Sequence, residues 1–160
     1  MTTVMTACHL PATPAAVAAL VRSCSPESLG ERFASRHRLA PEDVLDRYPR
    51  YLLGGAVALA AWTDGRVAGL LNLAVVRPGI VDVALLVADD LQRRGVATGL
   101  FATTLADPRW QGWTVEATIR PENRAGLGFL RAQRLGRPRL AGMSVGQLTY
   151  AIEVPTTAVA

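Results

Sequence analysis

The chain has 160 residues, of which 50% are apolar and 19% charged, and a formal net charge of +4. A chain of this length and composition can bury one substantial core, which excludes intrinsic disorder and suits one domain. The uncharged stretch near the middle, residues 51–63, is too short to span a bilayer, which takes about 20 residues.

Along the chain, residues 10–16 read as a loop leading into a helix over Ala15–Arg22. Residues 25–33 carry a helix start: Ser25 as N-cap, Pro26 at the first helical position and Glu27 in the positive first turn. Residues 40–52 repeat it, with Pro41, Glu42 and Asp43 ahead of Val44, Leu45 and Tyr48. The period then changes. Residues 56–63 and 66–76 are strand-like and joined by Asp64-Gly65, a strong hairpin signal between apolar runs. A third strand, 79–88, follows Pro78-Gly79. Residues 93–107 read as a helix with Val96, Leu100, Phe101 and Leu105 on one stripe. A strand over 113–119, a helix over 122–136 ending at Gly136, a strand over 146–154 and a loose tail over 155–160 complete the chain. This order predicts one domain over residues 1–154 of the α/β (α+β) class. Its central sheet is mixed and largely antiparallel, with helices on both faces and an almost wholly apolar interior.

Several classes of function are disfavoured. Residues 1–10 lack the basic and apolar segments of a signal peptide, so a cytoplasmic protein with no membrane partner is expected. Cys8, Cys24, His9 and His37 show no metal-ligand spacing, and no metal is expected. Cys24 and His37 lie on different helices with no geometric reason to act as a nucleophile and base. All 17 positive residues are arginine, which fits a GC-rich coding bias. They form no basic run interleaved with aromatics, so nucleic acid is not an expected partner. Trp62, Trp110 and Trp113 read as core or interface fillers.

One short stretch points to chemistry. "QRRGVATG" (92–99) follows the apolar run "VDVALLV" and the acidic pair Asp89-Asp90. It sits where a strand ends and a helix begins. A helix N-terminus leaves four backbone N–H groups unpaired and carries partial positive charge. Gly95 and Ala97 are small enough to let a phosphate approach those donors. The stretch is neither a Walker loop nor a dinucleotide fingerprint, since G-K-S/T and G-x-G-x-x-G are both absent. On these eight residues alone, a flexible turn at Gly95 or a small packing face at Gly95 and Gly99 is the more ordinary reading, because glycine near a helix start is common.

The stretch "Q-R-R-G-V-A" resembles the Q/R-x-x-G-x-G/A motif of the GNAT superfamily of acyl-CoA N-acyltransferases. "VDVALLVADDLQRRGVATGLF" (81–101) and "ENRAGLGFLRAQRLG" (122–136) extend the resemblance. "CSPESLGERF" (24–33) is similar to the "SPES-x-x-x-RF" entry of the bacterial Pat-like protein-lysine acetyltransferase branch. The three blocks occur in family order between Ser25 and Tyr150.

The resemblance implies an acetyl-CoA-dependent N-acetyltransferase acting by direct attack of a primary amine in a ternary complex. The backbone of Leu85, Leu86 and Val87 would meet the pantetheine arm. The turn from Gln92 through Arg93, Arg94, Gly95, Val96, Ala97 and Thr98 would hold the pyrophosphate, and Asn123 would touch the cofactor or simply cap the next helix. An ammonium is no nucleophile, so a base is needed. Relatives place glutamate at the position of Asp82, and Glu116 is the second candidate base. The family tyrosine that protonates the departing sulfur is replaced by Leu130, which leaves Tyr150 or unaided thiolate departure. The amine, a protein lysine or a small molecule, would enter among helices 25–52. Glu27, Glu31, Glu42, Asp43 and Asp46 there could form an acidic rim. A weak or inactive acyl-CoA-binding module and a nucleotide-binding protein using the same turn are the rival readings. Homodimerisation is left open.

Overall fold

Four prolines open four helices. In the computed structural model, which describes residues 7–156, α1 (Pro14–Arg22), α2 (Pro26–Arg32), α3 (Pro41–Arg47) and α4 (Pro49–Leu53) each begin on one. Proline suits the first helical position because its missing N–H would be unpaired there anyway. Thr13 and Ser25 cap the first two, their hydroxyls accepting from Ala16 N at 3.2 Å and Ser28 N at 3.1 Å. The single helix expected over 40–52 is in fact two, because Pro49 cannot continue α3 and the chain turns at Tyr48. The readings placed on residues 1–6 and 157–160 lie outside the described residues.

The seven strands are β1 (Cys8–Pro11), β2 (Val57–Thr63), β3 (Arg66–Arg77), β4 (Ile80–Val87), β5 (Thr114–Ile119), β6 (Arg139–Ser144) and β7 (Gln147–Glu153). They form one sheet in the order β1-β2-β3-β4-β5-β7-β6. All neighbours are antiparallel except β4 and β5. Asp64 and Gly65 both adopt left-handed backbone, φ 50° and 72°, as a tight hairpin turn between β2 and β3 requires. The strands β1 and β6 were not expected. Both are edge strands without an alternating pattern, and their pairing with β2 and β7 is what makes them strands.

Helices cover both faces. A Cβ at Gly69 would lie 2.8 Å from Val96 Cγ1 and 3.2 Å from Leu100 Cδ1, so α5 (Val96–Leu105) presses directly on that face of β3. Three residues on, the opposite face carries Asn72, which is 5% exposed. Its Nδ2 donates to Leu52 O of α4 at 3.0 Å, and Arg32 Nη2 of α2 donates to its Oδ1 at 3.0 Å. The interior is almost wholly apolar, as expected, and Asn72 is one of its few polar residues. A buried amide must be bonded, and Asn72 pins two helices to the sheet in the process.

Two helices are shorter than expected. α5 starts at Val96 rather than Arg93, and α6 (Arg124–Ala132) ends at Ala132 because Gln133 is extended. Val96, Leu100, Phe101 and Leu105 are all buried, as their stripe predicted. No described helix is long and apolar enough to cross a membrane.

Candidate active site

The sheet splits at its one parallel junction. β4 and β5 pair only through Ile80–Thr114, Val81–Val115 and Asp82–Glu116. Beyond Asp82 they diverge, and residues 83–87 keep a β3 partner on one edge but no β5 partner on the other. A cleft of about 670 Å³ opens there between β4, α2, the start of α5 and the start of α6. A second lobe of about 350 Å³ adjoins it beside Asp82 and Thr118. Glu31, Arg32, Leu85, Asn123, Gly126 and Phe129 line both, so the lobes meet at these residues.

The turn at 92–98 forms one wall of the larger lobe. Arg93 and Gly95 are left-handed, φ 60° and 85°, with Arg94 between them at negative φ. Alternation of this kind turns successive amides to one side and makes an anion-binding nest. The first α5 amide bonded outside the helix's own ladder is Gly99 N, which donates to Gly95 O at 2.9 Å. The N–H groups of residues 93–98 donate to no acceptor among the described residues. Glycine is demanded at 95 by its positive φ, and a Cβ there would meet no protein atom within 4 Å.

The neighbouring acidic pair is spoken for. Asp90 takes a bidentate bond from Arg66 at 2.6 and 2.7 Å, and Asp89 Oδ1 accepts from Ser25 N at 3.1 Å. Gln92 Nε2 reaches Ser28 Oγ at 3.3 Å and Val87 O at 3.4 Å. The turn is thus tied to the N-terminus of α2 and to the end of β4.

Every residue expected to hold the cofactor lines the larger lobe except Arg94. Asn123 caps α6, its Oδ1 accepting from Gly126 N at 2.9 Å, while its side chain also lines both lobes. The capping and cofactor readings coexist.

Asp82 lines the second lobe and is half-buried on a central strand, not exposed at a sheet edge. Burial pushes its carboxyl up from 3.8 to about 6. The Arg32 guanidinium opposes that rise, and Glu116 adds a smaller push. The parallel register puts Asp82 and Glu116 side by side on one face, yet Glu116 lines neither lobe. Of the two candidate bases, only Asp82 reaches the cleft.

Leu130 is buried in the wall of the second lobe. Tyr150 pairs with Ala117, which places it on the opposite face of the sheet from Glu116 and Asp82, and it lines neither lobe. Burial raises the Cys24 thiol to about 12, with Asp89 and Asp90 adding to the shift, and His37 is exposed, so these two form no nucleophile–base pair.

The expected acidic rim reduces to one residue. Glu27 pairs with Arg38 at 2.9 Å and Glu42 with Arg22 at 3.0 Å, while Asp43 and Asp46 are exposed; Glu31 alone lines the cleft. α2 contributes to both lobes, whereas α3 and α4 contribute to neither. Arg32, the arginine of the "SPES-x-x-x-RF" stretch, has no role in the sequence reading. Burial lowers its guanidinium to about 10, Asp82 opposing, and its Nη2 bonds Tyr51 O at 3.3 Å as well as Asn72. Arg32 is the last residue of α2, and the resemblance marks the arginine without marking its burial.

No family model matches this chain, and neither does any curated protein. Solved structures do. The GNAT domain of S. lividans PAT superposes with a TM-score of 0.71 at 22% identity, over 92% of this chain and 90% of that one. An N-acetyltransferase from Staphylococcus aureus Mu50 gives 0.67 at 15%, over 92% and 98%. A GNAT superfamily phosphinothricin acetyltransferase from Sinorhizobium meliloti, in complex with AcCoA, gives 0.68 at 16%, over 98% and 92%. What this chain shares with them is the GNAT fold.

Proposed function

We propose that this protein is an acetyl-CoA-dependent N-acetyltransferase. The observation that carries the reading is the row of uncommitted amides at residues 93–98, at the mouth of a cleft that runs down an unpaired strand edge. A diphosphate would find several fixed donors and the positive end of α5 in one place. The amide-bearing pantetheine arm would then lie along Leu85–Val87 as a strand lies along an open edge. The Sinorhizobium meliloti structure of the same fold holds AcCoA.

Acetyl-CoA supplies an activated acyl group on a thioester; the chain's own residues do the rest. The lobes meet at Leu85 and Asn123, so an amine in the smaller lobe faces the end of the larger one. Asp82, at about 6, is ionised at neutral pH and more basic than an ordinary aspartate. It accepts the amine proton, directly or through one water, as nitrogen attacks the acyl carbon. No tyrosine lies at the cleft to protonate sulfur, and a thiolate of pKa near 8.5 leaves without one. Leu130 also suits a coenzyme-binding module without turnover.

A thiol-release assay over a panel of alkyl amines, amino acids and a lysine peptide separates the readings. Steady release with at least one amine, lost in Asp82→Asn, is the expected outcome. Acetyl-CoA binding without release on any amine would establish the binding module instead. Calorimetry showing ATP bound more tightly than CoA would defeat the coenzyme assignment.

A further inference from the structure

The larger lobe is accounted for by the coenzyme and Asp82 by the proton, which leaves Glu31. Its carboxylate takes part in no hydrogen bond or ion pair among the described residues, and its Oε2 is buried without a partner. It stands where the two lobes meet. A buried carboxylate oxygen with no donor is costly, and a ligand bearing N–H donors would complete it. The adjacent Arg32 does not neutralise it. That guanidinium bonds Asn72 and Tyr51 through Nη2, its Nε is buried without bonding Glu31, and the acidic group that acts on it is Asp82. The smaller lobe is also lined by the apolar side chains of Val83, Ile119 and Leu130. At about 350 Å³ it takes an alkyl chain or a small molecule rather than a large polycation.

Resting on the proposed transferase reading, we infer that Glu31 selects the acceptor by its positive charge. The substrate class is an alkyl primary amine that enters as its ammonium, with the carboxylate of Glu31 on the cationic head and the alkyl portion along the apolar walls. Glu31 is a specificity residue and Asp82 the base. The division of labour explains why a carboxylate without a protein partner sits at the junction and not at the rim.

Dead-end inhibitors test this without relying on chemistry at the amine. A dimethylamino compound with the alkyl chain of the best acceptor is cationic, and its isopropyl isostere is neutral. The wild-type protein should bind the cation at least tenfold more tightly. Glu31→Gln should bring the two within about twofold, raise the KM of the amine substrate about tenfold or more, and change acetyl-CoA affinity far less than that. Asp82→Asn should instead act mainly on kcat. Equal wild-type affinity for the two inhibitors, or a preference that survives in Glu31→Gln, overturns the inference while the transferase reading stands. Wild-type protein that releases thiol with no amine overturns both. Turnover of a lysine peptide against a free diamine distinguishes protein-borne from free alkylamine, and a best substrate that is uncharged at the assay pH also overturns the inference.

Discussion

The two lobes of the cleft are built in opposite ways. The wall at 92–98 is contiguous, made of main-chain N–H groups, and depends on its side chains mainly through the left-handed geometry at Gly95. The smaller lobe draws Glu31 and Arg32 from α2, Asp82 from β4, Thr118 from β5 and Gln147 from β7. Backbone recognition suits a ligand that never changes, because most residues can supply an amide. Side-chain recognition suits a ligand that varies, because one substitution resets it.

The largest effect that would sharpen this contrast lies at Asp82. Asp82→Asn should lower kcat by about 10² to 10³ while leaving acetyl-CoA affinity intact, measured by steady-state kinetics and calorimetry. In the unchanged protein kcat should fall as pH drops through about 6, because Asp82 becomes protonated there, and the variant should lack that limb. At the backbone site the pattern reverses. Gly95→Ala forces a side chain into left-handed geometry at φ 85°, and should weaken acetyl-CoA binding about tenfold, near 1.4 kcal/mol, with a smaller change in kcat.

A smaller effect concerns stability. The folded protein holds the Asp82 proton more tightly than an ordinary carboxyl at 3.8 does. Ionisation therefore costs stability increasingly as pH rises from about 4 to about 6, and fully above that. Asp82→Asn should make the protein more stable at pH 7 by about 1 kcal/mol, and by nothing at pH 4, in denaturant titrations. The smallest effect is expected at Arg94, which is exposed and lines neither lobe. Arg94→Ala should change acetyl-CoA affinity less than about threefold, and less still at high salt. A tenfold loss there would break the contrast, since a side chain would then be holding the anion.

The same contrast decides what could be read from the sequence. The anion turn was legible because its residues are consecutive and its glycine has a stereochemical reason. Asp82 was legible only through the resemblance, and Glu116 beside it, the second candidate, lies outside the cleft. Glu31 stood among five acidic residues, and only the packing of α2 over β4 singles it out. Strands β1 and β6 escaped notice because an edge strand is made by its neighbour. Tyr150 pairs with Ala117 at the smaller lobe yet does not line it, which no sequence pattern marks.

Three residue pairs hold the two parts of the sheet together where β4 meets β5. On the proposed reading the coenzyme arm fills the gap beyond them, so the occupied protein has an eighth rung-bearing segment that the empty one lacks. Occupancy would then govern survival as well as catalysis: heat and proteases should open the molecule first at this seam, and saturating coenzyme should slow both.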